Sequence, residues 1–329
     1  MHIVLPGALP DANAARALLP QLAQTAPTLT RWLSLGHARL HDAPGEQTGC
    51  TPEEYWRLHL RGYRPQPGQN HAAGLGPLLA SEANDATETG SQAQWLAELV
   101  HVSPTQHGAS LLTAGELAIS AEHDAALFDS LAVLNAGPAG AAPASGFLDS
   151  GDFTLRPLRP GLWQVGVPDG FQMETVSPAQ VARSAVNDWW PHQEQARAWR
   201  RLFNEIQMLW FEHPVNQQRQ RQGLPPVNGL WLFGGASATQ LDAAAPQQVH
   251  WHEDLLQSWL RQDWGAWLHT LADLDARVLQ AAQRQGLRPT LTLTGRDRTV
   301  EVAPARQPAW LLKLAGRTQT WRNWWSPQD

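Results

Sequence analysis

The chain has 329 residues, of which 43% are hydrophobic and 16% are charged. A chain of this length and composition buries a large core, which excludes global disorder and predicts one large domain or two smaller ones. With 24 Lys and Arg against 30 Asp and Glu, the net charge is −6, which argues against nucleic acid as the main partner. Cys50 is the only cysteine, so neither an intramolecular disulfide nor a cysteine zinc cluster can form.

The sequence also bears on location. It has no run of 18 consecutive apolar residues, so no membrane-spanning helix is predicted. The opening residues lack the basic region of a signal peptide and turn at once at Pro6-Gly7. We therefore expect a cytoplasmic protein with no membrane partner. The 17 tryptophans, against 7 Phe and 2 Tyr, predict large aromatic groups in cores and interfaces.

The N-terminal segment begins with a predicted strand and continues with helices. Residues 3–5 are apolar and precede Pro6-Gly7, a pattern typical of a buried strand that ends in a turn. Thr51 predicts a helix start, because its hydroxyl can cap a helix that has Pro52 at its first position. The predicted helices cover residues 12–22, residues 26–35 with Gly36 as the stop, and residues 51–61.

The middle of the chain is predicted to contain loops and a few short elements. Residues 64–91 are rich in Pro, Gly, Asn and Ala and are predicted to be mostly loop, with a helical stretch at Leu78-Leu79. The remaining predictions here are an apolar segment over 95–100, a helix over 120–134, a flexible linker over 136–145, and a hairpin whose strands begin at Phe153 and Leu162.

The C-terminal half contains the clearest helical periodicity. A helix is predicted to begin near Pro191, with Asp188 as its cap, and to stop at His213-Pro214. The later predictions are a strand over 229–233, helix over 254–285, and strands over 290–294, 299–302 and 310–314. Strands that alternate with helices predict a layered α/β fold.

Residues 209–236 carry a dense motif. His213-Pro-Val-Asn216 is followed by Arg219, by Gly223-Leu-Pro-Pro, by Asn228 before a strand, and by Gly234-Gly235 after it. This motif resembles the HPxN…R…GxPxxN segment of the archaeal-type, cofactor-independent phosphoglycerate mutases of the alkaline phosphatase superfamily. The whole chain resembles more closely a bacterial branch, the RpfE-type regulatory proteins (named for regulation of pathogenicity factors). The features that carry this second resemblance include Ala26-Pro-Thr-Leu, Leu162-Trp163 and the segment Asn228-Gly-Leu-Trp-Leu.

The resemblance implies a fold and a division of the chain. The implied fold is α/β, with a layered alkaline phosphatase-like core, in which helices flank a central sheet, and a small inserted α+β region. Residues 1–63 would form the N-terminal part of the core, and residues 64–170 an inserted or cap-like α+β region with the hairpin. Residues 171–329 would form the C-terminal part of the core with a Trp-rich tail.

The resemblance also allows the metal ligands to be checked by position. Where metal-dependent members have a ligand Asp before Gly, this chain has Pro6-Gly7, and proline offers no ligand atom. Counting back from Leu60-Arg-Gly-Tyr-Arg-Pro65, which resembles the landmark after the family's nucleophile, reaches residues 52–54, Pro-Glu-Glu. The family's C-terminal Asp-His pair matches Arg296-Asp297. Because two metals need several carboxylate and imidazole ligands at short range, no metal, no cofactor and no catalytic residue are predicted.

Nine residues remain as candidates for binding a ligand. Arg296 and Arg298 flank Asp297, and guanidinium groups pair well with phosphate or carboxylate, so a small anionic ligand is predicted. For Gly234-Gly235 a plain tight turn is the alternative. For Arg219, with the neighbouring arginines 197, 200, 201 and 221, the alternative is a solvated helix face. A structural turn is the alternative for the segment 213–216. The candidates are His213, Asn216, Arg219, Asn228, Gly234, Gly235, Arg296, Asp297 and Arg298.

Two further segments have two interpretations each. Residues 250–254, His-Trp-His-Glu-Asp, contain side chains of the metal-ligand type, but their spacing favours a helix N-terminus. Residues 321–325, Trp-Arg-Asn-Trp-Trp, either pack back on the body or form a docking surface.

Three functions are compatible with these observations. The first is a non-catalytic relative of the phosphoglycerate mutases, lacking the metal site, that acts as a regulatory or binding protein with a protein partner. The second is a working metal-dependent phosphoglycerate mutase or phosphatase. The third is a scaffold that forms a homodimer through its tryptophan-rich half.

Overall fold

The structure is a computed structural model, and it describes residues 1–83, 90–106, 108–135, 148–149, 153–242, 248–305 and 320–325. Its strands are β1 (His2–Leu5), β2 (His37–Asp42), β3 (Ala93–Thr105), β4 (Gly108–Leu112), β5 (Leu148–Asp149), β6 (Thr154–Arg159), β7 (Leu162–Gly166), β8 (Gly229–Ser237), β9 (Val249–Trp251), β10 (Thr290–Thr294) and β11 (Arg298–Ala303).

The α-helices outnumber the strands in the described part of the chain. They are α1 (Ala12–Thr25), α2 (Pro27–Leu35), α3 (Gly45–Thr48), α4 (Pro52–Leu60), α5 (Leu75–Ala83), α6 (Ala114–Leu117), α7 (Ala121–Ser130), α8 (Pro178–Ala182), α9 (Arg197–Phe211), α10 (Pro214–Arg221), α11 (Leu256–Leu260), α12 (Trp264–Leu274), α13 (Gln280–Arg284) and α14 (Trp321–Trp325). A π-helical turn, Asp275–Leu279, joins α12 to α13.

The chain forms two compact units. The first contains Met1–Gly45, Thr51–Trp56 and Ala245–Asp329, and the second contains Glu46–Cys50 and Arg57–Ala244. The second unit has its own sheet and its own hydrophobic core, and so does the first. The three-part division at residues 63 and 170, which followed from the resemblance, stays a prediction.

The first unit is built on a five-stranded sheet in the order β2-β11-β10-β1-β9. β1 runs parallel to β9 and β10, whereas β11 is antiparallel to β10 and β2. Side chains alternate between the two faces of a strand. In β10 this places Leu291 and Leu293 in the core, which also holds Trp267 of α12 and Trp321 and Trp325 of α14. The C-terminal tryptophans therefore pack on the body of this unit.

The second unit is built on a six-stranded sheet. The order is β4-β3-β7-β6-β5, and β8 also pairs with β3. β8 pairs with β3, and the apolar sequence of β8 fits its position because both of its faces are buried. Leu230 and Leu232 pack in a cluster with α9, whereas Trp231 packs on the opposite face in a cluster with Val100 and Leu111.

Most of the predicted elements are confirmed, and together they confirm the predicted α/β class. The strands at residues 3–5 and 290–294 and the helix that Gly36 stops are present, and so is the hairpin, as β6 and β7. The predicted strand over 310–314 and the predicted linker over 136–145 lie outside the described residues. Within the described part of the chain, no helix combines the length and apolar character that a membrane crossing requires.

The predicted start of the long helix was wrong. α9 begins at Arg197, not near Pro191. The carbonyl oxygens of Pro191 and Gln193 accept hydrogen bonds from the Arg200 side chain at 2.7 and 2.8 Å. The Gln193 carbonyl also accepts from the Ala196 N–H at 3.1 Å, within a short 3₁₀ helix, Glu194–Ala196, that precedes α9. The predicted stop at His213-Pro214 is confirmed, but a further helix was missed there: Pro214 is the first residue of α10, and His213 caps it.

Candidate functional site

The carboxyl ends of β1 and β10 meet at the edge of the first unit's sheet. Leu5 is paired with Leu293 in the parallel register, so the turn after β1 lies beside the end of β10. The Gly7 N–H points to the Thr294 hydroxyl oxygen at 3.4 Å, and the Leu9 N–H donates to the Thr294 carbonyl at 3.0 Å. In α/β folds ligands commonly bind at this edge of a sheet.

Two indole groups hold the turn after β1 in place. Trp267 Nε1 donates to the Gly7 carbonyl at 2.9 Å, and Trp259 Nε1 donates to the Leu9 carbonyl at 3.0 Å. Gly7 has a φ of 75°, a backbone conformation that residues other than glycine rarely adopt. The turn is therefore fixed by side chains of the core and by its glycine.

Glu53 reaches the same edge from the N-terminus of α4. A capping box sets the start of this helix: the Glu54 N–H donates to the Thr51 hydroxyl at 3.3 Å, and the Thr51 N–H donates to Glu54 Oε2 at 2.9 Å. Glu53 Oε1 accepts a hydrogen bond from the hydroxyl of Thr294 at 2.5 Å. Glu53 is 8% exposed and Thr294 is fully buried, so one carboxylate is enclosed at the end of the two strands.

The residues at this edge do not fit a two-metal site. Pro6 has no ligand atom, Thr294 uses its hydroxyl for Glu53, and Asp297 is exposed on the turn after β10. Within the described ranges no group of three or more His, Cys, Asp or Glu side chains is arranged to hold a metal ion. Metals that bridge a phosphoryl group need several such ligands within short range. We therefore derive no reaction step through a metal.

The turn between β10 and β11 carries three of the predicted ligand-binding residues. Arg296 and Asp297 are exposed, and Arg298 is half-buried at the start of β11. The Asp297 carbonyl accepts a hydrogen bond from the Ala43 N–H at 2.7 Å. The three side chains lie on one short surface turn of the first unit, and binding of an anion there stays a prediction.

His213, Asn216 and Arg219 lie together on α10 in the second unit. His213 Nδ1 accepts from the Val215 N–H at 3.2 Å and caps the helix, and burial lowers the pKa of this imidazole. Asn216 is 1% exposed and bonds only to backbone: its amide donates to the Trp210 and Val227 carbonyls, and its oxygen accepts from the Val227 N–H. These contacts match the structural turn considered as the alternative.

Arg219 is a buried cation whose visible partners are backbone carbonyls. Its side chain is fully buried, and it donates to the Pro225 carbonyl at 2.8 Å and to the Leu117 carbonyl at 2.7 Å. Burial lowers the pKa of the guanidinium, which nevertheless stays charged at neutral pH. The side chain thus ties α6 to the loop before β8.

The other predicted residues of the second unit also have structural contacts. The Asn228 amide pairs with both backbone groups of Val102, at 2.7 and 2.8 Å. Gly234 and Gly235 have φ values of 100° and 111° at an irregularity between β8 and β3. A Cβ on Gly234 would lie 2.6 Å from the Gln94 carbonyl oxygen, so only glycine fits. Ligand binding by these residues stays a prediction.

The predicted set therefore falls into two groups in two units, with Arg296, Asp297 and Arg298 in the first and the other six residues in the second. In the segment 250–254, the Asp254 side chain accepts a hydrogen bond from Arg277 at 3.0 Å, and a short 3₁₀ helix begins at Glu253.

The contact between Glu53 and Thr294 was missed as a site. Counting back from residues 60–65 reached Glu53, but only the parallel pairing of β1 and β10 shows what Glu53 touches.

Comparisons with known proteins give distant matches among solved structures. No family model matches the chain, and no curated protein does. Among solved structures it is similar to the cofactor-independent phosphoglycerate mutase from Thermoplasma acidophilum DSM 1728, at 15% identity and a TM-score of 0.33, over 93% of this chain and 89% of that chain. It is also similar to the PH0037 protein from Pyrococcus horikoshii, at 11% identity and a TM-score of 0.44, over 100% and 98% of the two chains. At these values neither match says anything about activity, ligands or metals in this chain.

Proposed function

We propose that this chain is a non-catalytic relative of the cofactor-independent phosphoglycerate mutases that works by binding, as a regulatory protein, rather than by phosphoryl transfer. The observation that carries the proposal is the Glu53 carboxylate, enclosed at the carboxyl ends of β1 and β10 and bonded to Thr294. The motif at residues 213–228 supports the relation to this family.

The chemistry of phosphoryl transfer explains why this carboxylate matters. The reaction needs an attacking hydroxyl and positive charge to stabilise the phosphoryl oxygens. Position 53 offers a carboxylate, which repels a phosphoryl group. Because Glu53 lies in the first turn of α4, the helix N-terminus favours its negative charge. The carboxylate thus takes the place that an anionic substrate would need.

The proposed ligand is a small anion bound at the surface turn of Arg296, Asp297 and Arg298. The two guanidinium groups can pair with phosphate or carboxylate oxygens, and the exposed position of the turn makes it accessible. Asp297 between them would favour an anion that also donates a hydrogen bond, such as a hydroxylated phosphate ester.

The experiment has two arms on the purified full chain. After dialysis against Mn²⁺, bound metal is measured by mass spectrometry and 3-phosphoglycerate is tested for conversion to 2-phosphoglycerate. We expect substoichiometric metal and no turnover above the protein-free rate. Two metals per chain with turnover would show that the chain is a working mutase and would contradict the proposal.

The second arm measures binding. Inorganic phosphate and 3-phosphoglycerate are titrated calorimetrically into wild type and into the double variant Arg296→Ala with Arg298→Ala. We expect binding to wild type that the double variant loses. Arg288→Ala, a change at an exposed arginine of the same unit, is the matched control and should bind like wild type. Equal binding by all three proteins would exclude this turn as the site.

A further inference from the structure

A groove on the surface of the first unit lies between α2 and α13 and has a polar lining. Its volume is about 430 Å³, which is in the range of sites that hold small molecules. Arg31 follows Pro27, and Arg284 follows Gln280, by four positions, so each pair lies on one face of its helix. The lining residues are Pro27, Thr28 and Arg31 from α2 and Gln280, Gln283 and Arg284 from α13.

The groove is separate from the edge at which Glu53 meets Thr294. α13 ends at Arg284 and leads to the start of β10 at Thr290, whereas Glu53 contacts Thr294 at the end of β10. A ligand in the groove therefore does not occupy the candidate site described above.

A buried carboxylate joins the two sides of the groove. Asp275 is 1% exposed, begins the π-helical turn before α13, and accepts hydrogen bonds from the Thr28 and Leu29 N–H groups at 3.3 and 2.8 Å. Gln280 Nε2 donates to the same carboxylate at 3.3 Å. These N–H groups at the start of α2 are thus already used, so an anion in the groove has to be held by side chains. Such π-helical turns occur frequently at functional sites.

The groove carries two positive charges that no carboxylate in the described part of the chain neutralises. Arg31 and Arg284 are both exposed, and neither belongs to an ion pair there. Arg284 donates to the Gln280 side-chain oxygen at 3.5 Å. Arg277, on the π-helical turn, differs from both because it is paired with Asp254 at 3.0 Å. In a chain with a net charge of −6, two unpaired cations in one groove form a local site of attraction for an anion.

We propose that this groove binds a small molecule that carries two phosphate groups, with Arg31 holding one group and Arg284 the other. A guanidinium group pairs with a phosphate through two parallel hydrogen bonds. The two arginines come from different helices, so each serves its own phosphate group. Gln283, which is exposed in the same lining, offers an amide donor. None of the described lining residues is acidic, so the lining itself does not repel the ligand.

The exposure of both arginines sets the expected affinity. Water and salt weaken exposed ion pairs, so we expect a dissociation constant on the order of 0.1 mM for a ligand of this class at low salt. The affinity should fall as salt is added, because the Debye length shortens from about 30 Å at 10 mM ionic strength to about 8 Å at 150 mM.

The test is a calorimetric titration of inorganic pyrophosphate into the full chain without divalent cations. The parent protein carries Arg296→Ala and Arg298→Ala, so that the turn after β10 does not contribute to binding. We expect one site per chain in this parent, and binding weaker by at least about tenfold when Arg31→Ala or Arg284→Ala is added. No binding to the parent at about 5 mM pyrophosphate, far above the expected dissociation constant, would overturn the inference.

Two matched controls separate the groove from a general effect of charge. Adding Arg39→Ala with Arg261→Ala removes two exposed arginines of the same unit that lie outside the groove lining, and should leave pyrophosphate binding unchanged. Gln283→Glu places a carboxylate in the groove and should weaken binding, whereas Gln285→Glu, at an exposed residue just after α13, should not. Equal losses in the groove variants and in their controls would show that the groove is not the site.

The number of anionic groups is tested with ligands that carry one phosphate group. Inorganic phosphate and 3-phosphoglycerate should bind the groove of the same parent at least about tenfold more weakly than pyrophosphate. Affinity equal to that of pyrophosphate would contradict the assignment of one phosphate group to each arginine. The near-ultraviolet circular dichroism of the tryptophans checks that each variant is folded.

This inference does not depend on the proposed function. A chain that binds a ligand in the groove could still be a working mutase, and a chain with an empty groove could still bind an anion at the turn after β10. Because the parent protein lacks Arg296 and Arg298, failure of one proposal leaves the other to its own measurement.

Discussion

Replacing Asn216 by alanine should destabilise the protein strongly. The side chain is 1% exposed and makes three hydrogen bonds to backbone, two through its amide group and one through its oxygen, at 2.7–2.8 Å. The Trp210 carbonyl retains a bond from the His213 N–H at 3.2 Å, but both backbone groups of Val227 lose the partner that Asn216 provides. Each buried group left without a partner costs about 1–3 kcal/mol, so we expect Asn216→Ala to lower the free energy of unfolding by about 3 kcal/mol.

Urea unfolding followed by tryptophan fluorescence measures this loss, and thermal unfolding should show a midpoint lower by about 6–10 °C. Gln218→Ala is the matched control, because Gln218 lies on the same helix with its side chain exposed. If Asn216 were kept for a ligand rather than for the fold, its replacement would weaken ligand binding and leave unfolding almost unchanged. A change of less than about 0.5 kcal/mol, the usual size for surface substitutions, would refute the structural interpretation.

Three further substitutions test other polar groups that are buried or half-buried. Arg219→Met keeps the side-chain volume but leaves two carbonyls without their donor, and chemical denaturation should show a free energy of unfolding that is lower by about 2–4 kcal/mol. An unchanged free energy of unfolding would mean that the Arg219 side chain of the wild type points to solvent and does not occupy this buried position. Asp275→Asn removes a buried carboxylate that accepts from the first two N–H groups at the start of α2, and should cost about 1–2 kcal/mol in the same assay. For His213, burial lowers the pKa, so its contribution to stability is present above the ordinary value of about 6.5 and is lost as the pH falls below it. His213→Asn caps α10 without titrating and should unfold with a smaller loss of stability between pH 7 and pH 5 than wild type; an equal loss would assign the pH dependence to other groups.

Strands with clear alternation were predictable because one face must be buried. Thr290–Thr294 reads Thr-Leu-Thr-Leu-Thr, and the structure places its leucines in the core of the first unit. The strand β2, His37–Asp42, was not predicted: its sequence His-Ala-Arg-Leu-His-Asp holds only two apolar residues, and one of them, Leu40, is 50% exposed, so its alternation marks no buried face. It forms an edge strand through its antiparallel pairing with β11. Pairing between distant segments, rather than local pattern, therefore decides this element.

The candidate site was predictable only in part for the same reason. The resemblance predicted that Pro6 and residues 52–54 lack the ligand and the nucleophile that the family has at the matching positions. The hydrogen bond between Glu53 and Thr294 joins residues that are 241 positions apart, and no local pattern predicts such a contact. For Asn216 the sequence left two interpretations open, and the hydrogen bonds to Trp210 and Val227 favour the structural one.

The most direct test of the proposed function is a crystal structure of the full chain soaked with Mn²⁺ and 3-phosphoglycerate. Anomalous scattering recorded at the manganese edge would show whether metal binds at the carboxyl ends of β1 and β10. We predict no anomalous peak at the carboxyl ends of β1 and β10, and we predict that the Glu53 carboxylate is still bonded to the Thr294 hydroxyl. Two manganese peaks beside Glu53, with the phosphate group of 3-phosphoglycerate bound between them, would contradict the account and show a working phosphoryl-transfer site.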